Sequence, residues 1–157
     1  MRKLITVEGM GDTRKLTKLL SNKLQAIYFF RKPPVNTLQE LVPFDMAQMA
    51  NAFTAIQFGK EDNYAIIDKG YRSTSIQAGS MVSDVAYNTF EKMLQVLGTN
   101  KVEYYHVFII DPTKGHANQI TQIQKCKERV NGGKYIIVSN PQGTLEDLAN
   151  FIIEEVK

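Results

Sequence analysis

The sequence has little cysteine and no long apolar run, and these two absences exclude several classes of protein. Cys126 is the single cysteine among 157 residues, so an internal disulfide is excluded and a reducing compartment is expected. No apolar run approaches the about 18 residues that a membrane-spanning helix needs. Residues 1–7 have a short strand pattern instead of the features of a signal peptide. We therefore expect a soluble, cytoplasmic protein.

Clusters of metal-binding or nucleophilic side chains are also missing. The chain has two histidines. His106 stands within an apolar strand pattern and should be a packed or an edge histidine, whereas His116 follows a glycine and should be exposed. Neither histidine forms with Cys126 a spacing typical of a zinc site or of a catalytic triad. We therefore predict no metal site made of these residues.

The charge pattern is weakly basic and has no block of one sign. The formal net charge is +3 and the sequence pI is about 8.9, but the lysines and arginines are scattered along the chain. Zinc-finger spacing, an RNA-recognition signature and a basic-aromatic stripe are all absent. The composition is compatible with anionic ligands and does not favour nucleic-acid binding.

The chain does contain a regular alternation of strand and helix patterns. Its 157 residues, 43% of them hydrophobic, predict one domain spanning residues 1–157. Five short β-rich runs alternate with helical patterns, which indicates a parallel sheet covered on both faces. The runs are Leu4 to Val7, Ala26 to Phe30, Tyr64 to Ile67, Val102 to Ile110 and Tyr135 to Val138.

Apolar stripes with helical spacing predict the first and last helices. The stripes are Leu16, Leu19, Leu20 and Leu24 in the first, and Leu145, Leu148, Phe151, Ile152 and Val156 in the last. Thr144, followed three residues later by Asp147, predicts a capping box at the start of the last helix. Residues 44–58, 84–97 and 119–130 also carry helical periodicity.

The loops that follow the strands are where function should lie. Crossovers between parallel strands are right-handed, so the carboxyl ends of the strands line up along one edge, where open α/β folds bind ligands. The loops are residues 8–13, 31–36, 68–75, 111–116 and 139–143.

Five segments in these regions share one known order. KLITVEGMGDTRKLTKLL, residues 3–20, places a loop between strand and helix where phosphate-binding loops lie. It is followed by Arg31-Lys32-Pro33-Pro34, by AIIDKGYRSTSIQAG (65–79), by VFIIDPTKGHANQI (107–120) and by YIIVSNPQGTLEDLANFI (135–152). In this order they resemble thymidylate kinase and its nucleoside monophosphate kinase relatives. The resemblance covers almost the whole chain, although each motif is only partly matched.

The resemblance implies a three-layer α/β P-loop NTPase fold with a five-stranded parallel sheet in the order 2-3-1-4-5. An active member would use ATP and Mg²⁺, and family members usually dimerise through helices, which implies a homodimer. Asp68 and Lys15 are the catalytic candidates. The implied nucleotide-binding residues are Gly9, Arg14, Lys15, Thr17, Arg31, Asp68 and Lys69.

The first loop departs from an intact P-loop in either of two registers. With Gly9 as the first glycine, Arg14 stands at the second glycine and Leu16 where a magnesium-binding hydroxyl belongs. We expect Thr17 to lie on the wrong side of the helix to replace that hydroxyl. A second register aligns the pair Leu19–Leu20 with the leucine pair of the family, shortens the loop by two residues, and removes Lys15 from the lysine position.

The later motifs depart from the family as well. Lys69 replaces an arginine, and Gly70 replaces an aromatic residue. The predicted helix 119–130 is followed at once by residues 131–133 and the fifth strand, so an arginine-rich lid is missing. We therefore expect a thymidylate-kinase-like protein that binds a nucleoside monophosphate, or a protein partner through the Met-, Ala- and Phe-rich segment 44–58, without efficient phosphoryl transfer. The alternative is an active ATP-dependent dTMP or deoxynucleoside monophosphate kinase.

Overall fold

The computed structural model describes residues 2–9, 13–29, 38–58, 63–70, 85, 88–90, 92–93, 102–110, 116–129, 133–138 and 143–157. Strands form where β-branched and aromatic residues are concentrated. They are β1 (Arg2–Gly9), β2 (Ile27–Phe29), β3 (Tyr64–Asp68), β4 (Val102–Ile109) and β5 (Lys134–Val138). The helices are α1 (Arg14–Leu24), α2 (Leu38–Gln57), α3 (His116–Arg129) and α4 (Leu145–Val156).

The five strands form one sheet in the order β2-β3-β1-β4-β5, and every neighbouring pair is parallel. The predicted order is therefore confirmed, with the first strand at the centre. Leu4, Ile5 and Val7 of β1 have no exposed surface. A strand covered on both faces has an almost continuous apolar sequence, as β1 does.

Alternate residues of the strands face two helical layers. On one face, β1 and β3 pack against α1 and α4 through Ile5, Val7, Leu16, Leu20, Ile66, Ile152 and Val156. On the other face, α2 packs through Met49, Ala52 and Ile56 against Leu4, Ala65 and Ile67. Ile123 of α3 packs with Phe108 and Ile110. The molecule thus has the three layers that the alternation of strands and helices predicts.

The buried face of α4 differs in part from the predicted stripe. Ile152 and Val156 are buried as expected, but Leu145 is 43% exposed and Phe151 is 48% exposed. Consecutive helical residues are rotated by about 100°, so Phe151 cannot share the centre of the face that Ile152 occupies. Ala149, with no exposed surface, completes the contact instead, because a small residue lets the helix approach the sheet.

The capping box at the start of α4 is confirmed. The Asp147 amide donates to Thr144 Oγ1 over 3.1 Å, and the Thr144 amide donates to Asp147 Oδ2 over 3.2 Å. These two bonds satisfy backbone donors that a helix start would otherwise leave without partners.

Other helix limits shift from the predicted ones. The α2 helix begins at Leu38 and continues through Pro43, six residues before the predicted start at residue 44. The α3 helix begins at His116. Of the predicted helix 84–97, the described residues 85, 88–90 and 92–93 are helical. Within the described ranges, no helix combines the length and the apolar character needed to cross a membrane.

Candidate functional site

The carboxyl ends of β1 and β3 meet beside the start of α1. Val7 pairs with Asp68, and Gly9 pairs with Ile109 of β4. A Cβ on Gly9 would lie 2.9 Å from the Ile109 carbonyl oxygen, so the chain needs a glycine where it leaves the sheet. This arrangement brings the first loop and the loop after β3 to one edge, as the sequence predicts.

Two threonine hydroxyls converge on Asp68 at this edge. Asp68 is only 5% exposed. Thr13 Oγ1 donates to Asp68 Oδ1 over 2.5 Å, and Thr17 Oγ1 lies 3.3 Å from the same oxygen. Thr17 Oγ1 also donates to the Thr13 carbonyl oxygen over 2.6 Å. Together they join the first turn of α1 to the end of β3; we name Thr13, Thr17 and Asp68 the Asp68 cluster.

Thr17, which we expect to be on the wrong side of α1 to replace a magnesium-binding hydroxyl, has its own hydroxyl 3.3 Å from Asp68 Oδ1. Residues four apart share one face of a helix, and Thr17 lies below Thr13 with no exposed surface. Leu16 is 5% exposed and packs in the core, in keeping with its place in the leucine stripe. The hydroxyl nearest to Asp68 in the helix body therefore comes from the residue after Leu16.

Thr13 was missed by the sequence analysis. It occupies the N-cap position of α1, but its backbone, at φ of −99° and ψ of 0°, is not in the extended conformation of a capping residue, and its side chain makes no capping hydrogen bond. Its hydroxyl donates to Asp68 instead. The spacing could have indicated it, because Thr13 and Thr17 are four residues apart and so lie on one face of a helix. A hydroxyl residue just before a helix is, however, usually interpreted as an N-cap.

Arg14 and Lys15 lie on the exposed side of the first turn of α1. This turn contains no acidic residue. Positive side chains at a helix start add to the positive end of the helix dipole, which costs some stability and favours a bound anion. Both residues lie at the start of α1, beside the edge that the Asp68 cluster marks. Residues 10–12 lie outside the described residues, so the two registers of the loop remain open.

The turn after β3 is held tightly to β1. Lys69 has φ of 57°, a left-handed conformation that costs a non-glycine residue about 1–2 kcal/mol. Its amide donates to the Val7 carbonyl oxygen over 2.8 Å. The next amide, of Gly70, donates to Glu8 Oε1 over 3.1 Å. These two bonds keep the turn in its strained conformation, so its shape is set before any ligand binds.

The structure thus brings together four of the predicted residues, Gly9, Thr17, Asp68 and Lys69, with Arg14 and Lys15 close to them along α1. Arg31 lies outside the described residues. The catalytic roles of Asp68 and Lys15 stay predictions.

The oxygen atoms of the Asp68 cluster are suited to a hard divalent cation. Carboxylate and hydroxyl oxygens are ligands that Mg²⁺ accepts, and Mg²⁺ is commonly held by one or two carboxylates together with substrate phosphates. Among the described residues, no group of three or more His, Cys, Asp or Glu side chains could hold a metal ion. A cation here would therefore need further oxygens, such as those of a bound phosphate.

A second polar cluster lies at the opposite, amino edge of the sheet. Tyr105 donates its hydroxyl to Glu103 Oε2 over 2.5 Å, and Lys134 Nζ lies 3.9 Å from that oxygen. Lys3 Nζ donates to the Val156 carbonyl oxygen and lies 5.8 Å from the centre of the Tyr105 ring. These contacts join the strands to the end of α4; we name Lys3, Glu103, Tyr105 and Lys134 the Glu103 cluster.

Both acidic groups of the Glu103 cluster have shifted pKa values. The hydrogen bond from Tyr105, aided by the charge of Lys134 and opposed by burial, lowers the pKa of Glu103 from 4.5. Burial, together with the hydrogen bond to Glu103, raises the pKa of Tyr105 to about 12. Each shift favours the state in which a neutral Tyr105 donates to an ionised Glu103.

His106 is packed in the core, one of the two positions that the sequence predicts for it, and Cys126 is buried as well. His106 has no exposed surface, and its Nδ1 lies 2.8 Å from Thr6 Oγ1. Cys126 is likewise buried and packs in the cluster beneath α2. Neither side chain reaches the carboxyl edge.

Known proteins are similar to this chain in structure, whereas comparisons of sequence find no match. No family model matches the chain, and no curated protein matches it. The structure is similar to the YorR protein from Bacillus subtilis, solved in complex with phosphorylated GDP, with a TM-score of 0.55 and 16% identity over 98% of this chain and 95% of that chain. It is also similar to thymidylate kinase from Candida albicans, with a TM-score of 0.53 and 14% identity over 98% of this chain and 90% of that chain. The chain shares the α/β fold of these two solved structures.

Proposed function

We propose that this protein binds a nucleoside phosphate at the carboxyl edge of its sheet and does not transfer phosphoryl groups efficiently. The observation that supports binding is the convergence of Thr13 and Thr17 on Asp68 at the start of α1. A buried carboxylate with two hydroxyls, beside a helix start, suits a phosphate group with its metal ion. YorR, which has a similar structure, was solved with phosphorylated GDP.

The acceptor side is the better candidate for this nucleotide. Asp68 is buried at the edge, and Lys69 is held next to it in a fixed turn. In the sequence, Arg31 stands where the family contacts its acceptor nucleotide. On the donor side, Arg14 replaces the second glycine of a P-loop in the first register. We therefore propose a nucleoside monophosphate as the preferred ligand.

Weak phosphoryl transfer is proposed because the charges that stabilise the transferred group are few. The α3 helix ends at Arg129 and β5 begins at Lys134. Residues 130–133 amount to about one helical turn, so this connection cannot carry a helical lid. Lys69 supplies a point charge where an arginine would supply a two-pronged contact. In related nucleotide enzymes an arginine at the transferred group contributes about 10³ to 10⁵ in rate.

Calorimetric titration with dTMP, dTTP and ATP, each with and without Mg²⁺, tests the proposal. We expect dTMP to bind more tightly than ATP. Arg31→Ala should weaken dTMP binding by about ten- to hundredfold, which is the range for a charge-assisted hydrogen bond. Lys15→Ala should change it little. Failure of all three nucleotides to bind at millimolar concentration would contradict the proposal, as would ATP binding that depends on Lys15.

An active nucleoside monophosphate kinase is the second candidate, because Thr17 Oγ1 lies 3.3 Å from Asp68 Oδ1. This hydroxyl is available near the carboxylate even though Leu16 occupies the expected position. A coupled assay with ATP, Mg²⁺ and dTMP separates the two candidates. Turnover of about 1 to 100 per second, as is typical of kinases, would establish the second candidate and overturn the first.

Exposed apolar side chains support a protein partner or a homodimer as well. Phe58 after α2 is 85% exposed, Val85 is 66% exposed and Met93 is 54% exposed. Analytical ultracentrifugation of the native chain and of Phe58→Ser tests this proposal. We expect a native dimer that the substitution weakens, whereas a monomer at all concentrations would contradict the proposed homodimer.

A further inference from the structure

Glu8 is a buried carboxylate that the proposed phosphate site does not use directly. It stands at the end of the central strand and has no exposed surface. Ile5 and Val7 face α1 and α4, so Glu8, the next residue along the strand, projects from the other face. Asp68 faces the threonines of α1. A carboxylate is costly to bury unless hydrogen bonds compensate it, so the contacts of Glu8 indicate its role.

Glu8 and its neighbour Val7 hold two consecutive amides of the turn after β3. Lys69 donates to the Val7 carbonyl oxygen over 2.8 Å, and Gly70 donates to Glu8 Oε1 over 3.1 Å. The first bond uses the backbone and would exist with any residue at position 7. The second depends on the side chain at position 8. A substitution of Glu8 would therefore remove the second bond and leave the first in place.

Gly70 is matched in size to Glu8. A Cβ at position 70 would lie 2.6 Å from Glu8 Oε1 and 3.2 Å from Thr6 Cγ2. A contact below 3 Å forces one of the two groups to move. Gly70 therefore fits the space beside Glu8, and a residue with a Cβ could stand there only if Glu8 or the turn moved.

We propose that Glu8 is a positioning residue, which holds the Asp68–Gly70 turn in the conformation that receives the phosphate of a nucleoside monophosphate. This inference rests on the proposed function. Glu8 is buried and acts through the Gly70 amide. Its bond fixes the chain just after Lys69, whose left-handed conformation would otherwise relax. Without Glu8, the turn at Lys69 and Gly70 would be less ordered before the ligand binds, and affinity would fall because binding would carry that entropic cost.

The test compares Glu8→Ala, Glu8→Gln and Gly70→Ala by two measurements, with Glu103→Ala as a control at the opposite edge of the same sheet. Amide hydrogen exchange of Gly70, without ligand, reports on the contact itself. Titration with dTMP reports on binding. Glu8→Gln keeps an oxygen that can accept from the Gly70 amide, whereas Glu8→Ala does not. Gly70→Ala disturbs the same contact from the other side if Glu8→Ala fails to fold.

We expect Glu8→Ala to speed the exchange of the Gly70 amide and to weaken dTMP binding by about tenfold, the lower end of the effect of one charge-assisted hydrogen bond. Glu8→Gln should have nearly the native exchange rate at Gly70 and nearly the native affinity for dTMP. Gly70→Ala should show the same changes as Glu8→Ala. Glu103→Ala should leave dTMP binding unchanged. If the Gly70 amide exchanged at the native rate in Glu8→Ala, the proposed bond between Glu8 and Gly70 would be contradicted. Faster exchange with unchanged dTMP binding would overturn the positioning role alone. A native chain that binds no dTMP would overturn the proposed function, and the exchange data would still decide whether the contact exists.

Discussion

At the carboxyl edge of the sheet Thr13 donates to Asp68 over 2.5 Å, and at the amino edge Tyr105 donates to Glu103 over 2.5 Å. The two pairs have the same chemistry but different surroundings. Asp68 is 5% exposed and has the hydroxyls of Thr13 and Thr17 beside it. The Glu103 side chain is 31% exposed and lies close to Lys134.

The surroundings decide what each pair can do. In the Glu103 cluster, the negative charge is already balanced by lysines, and Lys3 also binds the last turn of α4. This cluster stabilises the fold. The Asp68 cluster lies instead where strand ends and a helix start meet, the usual ligand site of open α/β folds. The comparison teaches that a short hydroxyl-carboxylate bond is not evidence of function unless its position in the fold favours a ligand.

The largest effect is expected when the tight turn beside Asp68 is overfilled. Gly70→Phe introduces the aromatic residue of the resembling family, but its Cβ alone would lie 2.6 Å from Glu8 Oε1 and 3.2 Å from Thr6 Cγ2. Overpacking a buried position with a whole ring should cost more than about 3 kcal/mol in the free energy of unfolding. Urea denaturation measures this loss. A loss below about 1 kcal/mol would show that the turn can open.

Removal of the central carboxylate should be the next largest effect. Asp68→Ala leaves Thr13 Oγ1 without its acceptor, and an unsatisfied buried hydroxyl costs about 1–3 kcal/mol. Thr17 keeps its bond to the Thr13 carbonyl oxygen, so the loss should not double. Glu103→Ala is the matched control and should cost less, because its group is partly exposed. Equal losses of unfolding free energy at the two edges would break the comparison.

The alkaline stability of the protein tests the Tyr105 pair. The folded pKa of Tyr105 is about 12, above the ordinary 10.0, so its contribution is present below pH 10 and is lost as the pH rises towards 12. Tyr105→Phe should cost about 1 kcal/mol near neutral pH, the net value of one hydrogen bond, and should lose less stability than the native chain between these two pH values. Chemical denaturation at several alkaline pH values measures both. If the native chain and Tyr105→Phe lost the same unfolding free energy between pH 10 and 12, the raised pKa of Tyr105 would be contradicted.

The smallest effect is expected in acid, from Glu103. Its folded pKa lies below the ordinary 4.5, so its contribution is present above that pH and is lost as the pH falls through the folded pKa. Glu103→Gln should therefore reduce the fall in unfolding free energy below pH 4.5. The change should stay under about 1 kcal/mol, as for other partly exposed ion pairs. If Glu103→Gln and the native chain lost unfolding free energy equally as the pH falls, the Glu103–Lys134 ion pair would not contribute to stability.

The order of the sheet could be predicted because the strand runs and their motifs recur in one family order. The capping box of Thr144 and Asp147 could be predicted because it depends on residues three apart. The exposure of Phe151 could not, since Leu148, Phe151 and Ile152 all fit an apolar stripe, and only packing selects Ile152 for the core.

The site was predicted to the level of its loops and not of its contacts. Asp68 and Thr17 were named, but the bond between them depends on how α1 is rotated against β3. In the P-loop pattern, Leu16 stands at the position where a hydroxyl is expected. Because Leu16 belongs to the leucine stripe, it packs in the core, and the next residue, Thr17, lies towards the edge of the sheet. The bond between Glu8 and Gly70 joins residues 62 positions apart, which no local pattern reveals.

The most direct measurement of the central claim is an NMR titration of the native chain with dTMP, followed at the backbone amides of both edges. The account predicts that the amides of Thr13, Asp68, Lys69 and Gly70 shift and saturate together, while those of Glu103 and Lys134 do not move. Saturating shifts at the amino edge alone, or none at either edge at millimolar dTMP, would contradict it.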